Sequence, residues 1–182
     1  GIDINRLTYQ DLRHSIRTVT QEPFLFSDTL ENNIAFAIED RPDDWQEHFP
    51  SLLQQVALRE EVDKFPLQEQ TIVGEKGILL SGGQKQRISL ARAMATSCDL
   101  LILDNVLSAV DYETERYLLQ QIFARRQAKS LLIISHRVTA VEKTDWILVL
   151  DEGRIVAQGT HEELLQKPGY YQEMWSLQHE TS

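Results

Sequence analysis

The sequence predicts an α/β domain in which a mainly parallel sheet carries an inserted helical lobe, and three observations lead there. Short continuous apolar runs at Leu100 to Leu103, Leu131 to Ile134 and Trp146 to Leu150 are bounded by polar or turn residues. Runs of that kind suit strands buried on both faces, as in a parallel sheet covered by helices. A helical pattern separates the first two runs, which makes a strand, helix, strand unit. From Asp28 to Glu75, in contrast, no strand run is evident.

In chain order, Arg17 to Thr20 is the weakest strand candidate. Asp43 to Val56 reads as a helix in which Pro50 could make a break, because proline lacks the N–H that an interior position needs. After Ser81-Gly82-Gly83, the residues Ile88, Ala91, Met94 and Ala95 recur at helical spacing. The strand Leu100 to Leu103 ends at Asp104. The helix that follows places Leu118, Leu119, Ile122 and Phe123 on one face, with Asp111, Glu113 and Glu115 at its start and Arg125 and Arg126 at its end. The helix dipole favours that charge order. Leu131 to Ile134 ends at Ser135-His136. Trp146 to Leu150 leads through Asp151-Glu152-Gly153 into Arg154 to Gln158, which reads as a hairpin. Thr160 and Glu163 form a capping box that opens a helix through Leu164 and Leu165, and a last helix covers Tyr170 to Leu177. Trp45, Trp146 and Trp175 read as core or lobe-packing aromatics.

Composition narrows the function. The chain has 182 residues, 25% charged and 42% hydrophobic, which suits one folded domain with a small lobe and excludes a repeat array. Its formal charge of −10 opposes a broad nucleic-acid footprint, so no nucleic-acid partner is expected. The acidity is local: residues 28 to 75 hold 12 acids and 3 bases, leaving 16 against 15 elsewhere. The parts expected to face a phosphate are therefore nearly balanced. No run approaches the roughly 20 apolar residues that cross a bilayer, and no signal segment opens the chain. A single cysteine, Cys98, cannot form an intrachain disulfide, as suits a reducing compartment.

The most informative segment is Leu80-Ser81-Gly82-Gly83-Gln84-Lys85-Gln86-Arg87. Its two glycines let the backbone approach a ligand, and the next residues start a helix whose unpaired N–H groups favour an anion. The plainer reading of Ser81 is an ordinary N-cap. Asp104 lies at the carboxyl end of a strand, where open parallel sheets place ligands, and a carboxylate there can hold Mg²⁺ directly or through water. Alone, it equally suits an Asp that starts a turn. His136 occupies the equivalent edge of another strand, where an imidazole can hydrogen-bond a terminal phosphate oxygen. The plainer reading there is a loop residue. Asp111 reads as the N-cap of the following helix. Gln21, at a strand exit before Glu22-Pro23, presents an amide able to reach a metal or a water.

Together these features resemble the nucleotide-binding domain of ABC transporters over almost the whole chain. Gln21 matches the Q-loop glutamine, Leu80 to Gln84 the signature sequence, Leu100 to Asp104 the Walker B strand, Ser108 to Asp111 the D-loop and His136 the switch histidine. The stretches Gln21 to Leu30 and Thr71 to Gly77 resemble the multidrug-exporter branch. In that branch the second stretch is the loop that touches the membrane domain's intracellular helices. The resemblance implies a P-loop NTPase-like fold, with 1–27 and 97–182 as a RecA-like core and 28–96 as the helical lobe. It implies ATP and Mg²⁺ as cofactors. Asp104 organises the metal, Gln21 senses it, and His136 contacts the γ-phosphate. Ser81, Gly82, Gly83 and Gln84 bind a partner's ATP in trans, and Asp111 links the two sites. A second nucleotide-binding domain and a transmembrane domain are the implied partners, at the cytoplasmic face of a membrane.

Two departures qualify the resemblance. A P-loop requires Gly-x-x-x-x-Gly-Lys-Ser/Thr, and none of the eight glycines is followed by Lys. Gly77 and Gly82 have the right separation, but Gly83 stands where the Lys belongs. The chain, which opens at Gly1-Ile2-Asp3, is thus expected to be N-terminally truncated, and inactive and weak in ATP binding alone. Asn105 stands where hydrolysing relatives carry Glu, so the general base is lost, and Val106 replaces the usual Pro. Such a subunit resembles the degenerate half of a heterodimeric exporter. A non-hydrolytic ATP-binding coupling module and an inactive fragment are the alternatives. Soluble relatives in DNA repair or translation carry long coiled coils or basic arms, which this sequence lacks.

Overall fold

The computed structural model describes residues 3–124 and 128–180. The basic helix end expected at Arg125 and Arg126, and Gly1, lie outside them. The chain forms two units, one up to Ile134 and one from Ser135 onward.

In the first unit, β1 (Ile16–Val19), β2 (Cys98–Asp104) and β3 (Ala128–Ile134) form a parallel sheet with β2 in the middle. β2 starts two residues before its apolar run because pairing with β3 begins at Cys98, and Asp99 meets Lys129 at 2.7 Å beside it. α6 (Tyr112–Ala124) crosses from β2 to β3 and buries Leu118, Leu119 and Ile122 as the periodicity requires. Among these three strands the expectation of burial on both faces holds least for β3, where Leu132 and Ile134 remain about half exposed.

The helices lie mostly between β1 and β2. α1 (Tyr9–Ser15), which the sequence pattern did not reveal, precedes β1 and starts with a Thr8/Asp11 capping box. α2 (Leu30–Ala35), α3 (Trp45–Gln55), α4 (Arg59–Val62) and α5 (Gly82–Met94) follow it. α3 continues through Pro50 rather than breaking. Pro50 is exposed, and the helix is held from the opposite face by buried Trp45, Phe49, Leu52 and Leu53, which outweighs one lost hydrogen bond.

Two polar hubs tie this region together. The buried Glu31 carboxylate accepts from Trp45 Nε1 at 2.7 Å, Gln46 Nε2 at 3.1 Å and Gln70 Nε2, and pairs with Arg41 at 3.3 Å. A carboxylate supplied with several donors is stable away from water. Asn33 accepts from the Phe26 N–H at 2.9 Å and donates back to the Phe26 carbonyl at 3.0 Å. Arg92 of α5 donates to the carbonyls of Asn33 (2.7 Å) and Phe24 (3.1 Å), and burial lowers its pKa. The Thr71–Gly77 loop closes onto the same segment through Leu30 N–H to Thr71 O (3.0 Å) and Val73 N–H to Asp28 O (2.9 Å). Gly74 is required there, because its φ is +84° and a Cβ would stand 2.5 Å from the Phe26 oxygen.

The second unit holds the hairpin of β4 (Ile147–Asp151) and β5 (Arg154–Gly159). Glu152 (φ 44°) and Gly153 (φ 75°) make the tight turn. Here the sequence expectation needs correcting. Among the described residues β4 pairs only with β5, antiparallel, so Ile147 and Val149 face a core while Leu148 and Leu150 face outward. Trp146 is likewise 55% exposed and packs no core. α7 (His161–Leu165) opens with the expected Thr160/Glu163 capping box, and α8 (Tyr170–Glu180) follows. Val138, Ile147, Val149, Leu164 and Tyr171 form the core.

The Tyr171 hydroxyl lies 2.8 Å from His161 Nδ1, and burial, helped by Glu142 and Glu162, pushes its pKa up to about 12 from 10.0. The raised value means that the neutral phenol is favoured in the folded unit. That stabilisation is complete below pH 10 and disappears as pH rises through about 12. Thermal denaturation of wild type should therefore fall steeply over that interval, and Tyr171→Phe should flatten the fall.

Candidate functional site

The three parallel strands end at one edge. Val19 pairs with Leu103, Leu103 with Ile133, and Asp104 with Ile134, so the chain leaves β1, β2 and β3 side by side. Gln21 lies two residues past β1 and is exposed, while Asp104 closes β2 and is partly buried. This carboxyl edge is where a parallel sheet presents its loops to a ligand.

Asn105 turns the chain immediately after Asp104. Its φ is 51°, its N–H donates to the Ile134 carbonyl at 2.8 Å, and its own carbonyl accepts from Ser108 Oγ at 2.9 Å. Asn tolerates this left-handed conformation better than most residues. Val106 and Leu107 are buried behind it.

Ser81 caps α5 reciprocally with Gln84: its hydroxyl accepts from the Gln84 N–H at 3.2 Å, and Gln84 Oε1 accepts from the Ser81 N–H at 2.8 Å. The plain N-cap reading of Ser81 is thus realised. The Gln84 amide is committed within the chain, because its Nε2 also donates to Glu61 at 2.6 Å. Glu61 in turn pairs with Arg87 at 2.6 Å, and Arg87 reaches the Ala57 carbonyl. These bonds fix α5 against α4. Gly82 and Gly83 occupy the first turn, ahead of the first intrahelical bond from Lys85 N–H to Ser81 O. Their N–H groups are the anion-directed ones.

The two glycines differ. A Cβ on Gly83 would stand 2.8 Å from the Ala109 carbonyl oxygen, whereas one on Gly82 would find only Ala109 Cβ, at 3.8 Å. Gly83 therefore allows α5 to pack on the Ser108–Asp111 loop, and Gly82 is exposed. Asp111 caps α6, accepting from the Thr114 N–H at 2.9 Å and its hydroxyl at 2.8 Å. Those bonds hold its carboxyl below the usual carboxylate range. Gln86 Nε2 of α5 donates to the Gln21 carbonyl at 3.2 Å. One helix thus joins the Gln21 loop, the glycine turn and the Asp111 loop. Sequence inspection missed Glu61, Arg87 and Gln86 in these roles, because each acts through a residue more than 20 positions away.

His136 is exposed and belongs to the second unit, where its carbonyl accepts from Gln178 Nε2 at 3.1 Å. Among the described residues no group of three or more His, Cys, Asp or Glu is placed to hold a metal. Mg²⁺ keeps several waters and bridges phosphates, so one carboxylate with an amide suffices on the protein side. Asp104 and Gln21, both at the carboxyl edge, supply one residue of each type. The free first-turn amides and the Ser81 hydroxyl suit an anionic phosphate.

A family model described as ABC transporter matches residues 1–108. The chain is 39% identical over 178 residues to an ATP-dependent lipid A-core flippase of Haemophilus ducreyi. It is 40% identical over 178 residues to a probable multidrug resistance ABC transporter ATP-binding/permease protein of Bacillus subtilis. Each match covers 98% of this chain and 30% of the relative. A solved bacterial Atm1-family ABC exporter with ATP bound superposes with a TM-score of 0.88 at 35% identity, over 98% of this chain and 31% of that one. The P-loop NTPase-like α/β architecture follows from these matches, and with it a place in a family whose domain binds ATP. The chain belongs to the ABC transporter family and corresponds to nucleotide-binding-domain sequence of its exporters.

Proposed function

We propose that the protein carrying this chain couples ATP-driven closure of two nucleotide-binding domains to export across a membrane, and that this chain supplies the degenerate half of a heterodimer. The observation that carries the coupling is the attachment of the exporter-type Thr71–Gly77 loop to the segment that follows Gln21, through Asp28, Leu30 and Gly74. A change at Gln21 is thereby passed to the loop meant for the membrane domain. Beside it lie exposed Phe24, Phe26 and Phe36, with ring centroids 5.1 and 4.4 Å apart. A cleft of about 730 Å³ lined by Tyr9, Arg13, His14 and Phe36 adjoins them. An aromatic and basic surface of this kind suits a helical segment of a membrane domain.

Asp104 and Gln21 would hold Mg²⁺, which when bound neutralises phosphate charge. His136 would face the γ-phosphate, and Ser81, Gly82, Gly83 and Gln84 the partner's ATP, with Gln84 acting through the cap it secures. Asp111 would join the two sites through the packing of its loop on Gly83. In the degenerate-half reading, Asn105 leaves this chain's own site without a general base, while the intact glycine turn completes the partner's site.

Glu75 is exposed on the Thr71–Gly77 loop. In the full-length protein, cysteine at position 75 should crosslink to an intracellular segment of the membrane domain, and Glu75→Arg should uncouple transport from ATP turnover. Cosedimentation with ribosomes or DNA, in place of that crosslink, would overturn the exporter reading.

A further inference from the structure

α8 carries a polar residue where its apolar face continues. Tyr171 is buried, Met174 and Trp175 pack against the core of the second unit, and the same spacing next reaches Gln178. That side chain ends in one planar amide with a donor and an acceptor. Its Oε1 accepts from the Val138 N–H at 2.9 Å, and its Nε2 donates to the His136 carbonyl at 3.1 Å. The two contacts lie on either side of Arg137. They matter because the 3₁₀ turn at Val138–Ala140 has Arg137 as its N-cap, and Arg137 provides no side-chain cap. Gln178 supplies that cap from a helix 40 residues away. A local bond, Arg137 N–H to Ser135 Oγ at 2.9 Å, turns the chain but does not hold the His136 carbonyl.

We propose that Gln178 is a positioning residue for His136: its amide clamps the backbone on both sides of Arg137 and so sets where the imidazole is presented. The proposal rests on the reading of His136 as the group that contacts the γ-phosphate. It makes the register of α8 part of nucleotide recognition, although Gln178 itself touches no nucleotide. Backbone atoms held by both ends of one amide cannot shift independently, so loss of the amide frees the His136 carbonyl and uncaps the turn.

Equilibrium binding of Mg-ATP and Mg-ADP to the full-length protein tests this, with the ATP-over-ADP preference as the readout. His136→Ala should lower that preference about 10-fold or more, the worth of one hydrogen bond to a charged group. Gln178→Leu, which keeps the bulk and removes both bonds, should lower it several-fold and leave ADP affinity unchanged. Gln178→Glu retains the acceptor for Val138 but not the donor for His136, and should lower the preference relative to wild type by less than His136→Ala does, a comparison that stands even if the Leu variant fails to fold. In the His136→Ala background neither change should have a further effect. Equal losses for both nucleotides, a wild-type preference in both Gln178 variants, or full additivity with His136→Ala would overturn the proposal. An unchanged preference in His136→Ala itself would instead remove the γ-phosphate reading on which the proposal stands.

Discussion

Asn105→Glu is expected to raise ATP turnover at this chain's own site, read in a homodimer of the full-length chain, by about 10²–10⁴-fold, the usual worth of a positioned general base. The backbone at this position is already set by β3: the Asn105 N–H donates to the Ile134 carbonyl, and the Asn105 carbonyl holds Ser108. A longer acidic side chain therefore starts from a fixed Cα at the carboxyl edge, one residue past Asp104. The change also has a stability cost. Asn105 adopts a φ of 51°, a left-handed conformation that costs most residues about 1–2 kcal/mol, and replacement by Glu costs the fraction of this that Asn avoids by local hydrogen bonding. The gain in rate should thus accompany a lower denaturation midpoint. Asn105→Gln separates the two effects, since it has the length and strain of Glu without its basicity. It should lose stability and gain no turnover. If Glu and Gln variants turn over ATP at the wild-type rate, the missing base is not what limits this site.

Features set by neighbouring residues were legible in the sequence. The β2–α6–β3 unit follows from apolar runs around a helical repeat, and the Thr160/Glu163 box marks the start of α7. The hairpin follows from Asp151-Glu152-Gly153, whose last two residues turn the chain with positive φ. Features set by distant partners were not legible. α1 has a capping box but no buried residue, so no apolar stripe announced it. Whether Pro50 breaks α3 is decided by its exposed ring and the buried face opposite it, which appear only in the fold. The run Trp146 to Leu150 suits a strand buried on both faces, which would make Trp146 a core or lobe-packing aromatic, whereas β4 is covered on one face. The Glu31 hub draws on positions 41, 45, 46 and 70, a pattern without local signature. At the candidate site, residue types and order single out Gln21, Asp104, Asp111 and His136 as candidates. The commitment of Gln84 to Glu61, by contrast, required coordinates.

The glycine pair in the signature turn gives the second large effect, and it separates folding from ligand approach. Gly83→Ala places a methyl group 2.8 Å from the Ala109 carbonyl oxygen, a backbone atom with little freedom to yield. Overpacking of this kind costs about 1–3 kcal/mol, and here it also pushes the Ser108–Asp111 loop away from α5. Gly83→Ala should therefore lower stability whether or not a nucleotide is present. Gly82→Ala meets only ordinary contact at 3.8 Å, and Ala at the first helical position restricts the unfolded chain. Its stability should be unchanged or higher by about 0.5 kcal/mol. Yet Gly82 is the exposed member of the pair, and its backbone is the one a phosphate from outside the chain would approach. A methyl group there displaces that phosphate by about the 1 Å that costs 10²-fold. In the full-length protein, Gly82→Ala should fold normally and lose ATP-driven dimer closure by about that factor. Mg-ATP-dependent crosslinking of the two nucleotide-binding domains, measured beside thermal denaturation, provides both readouts. Normal closure in a normally folded Gly82→Ala protein would mean that no partner's phosphate comes to this turn. The glycine turn would then serve only to pack α5 on its own chain.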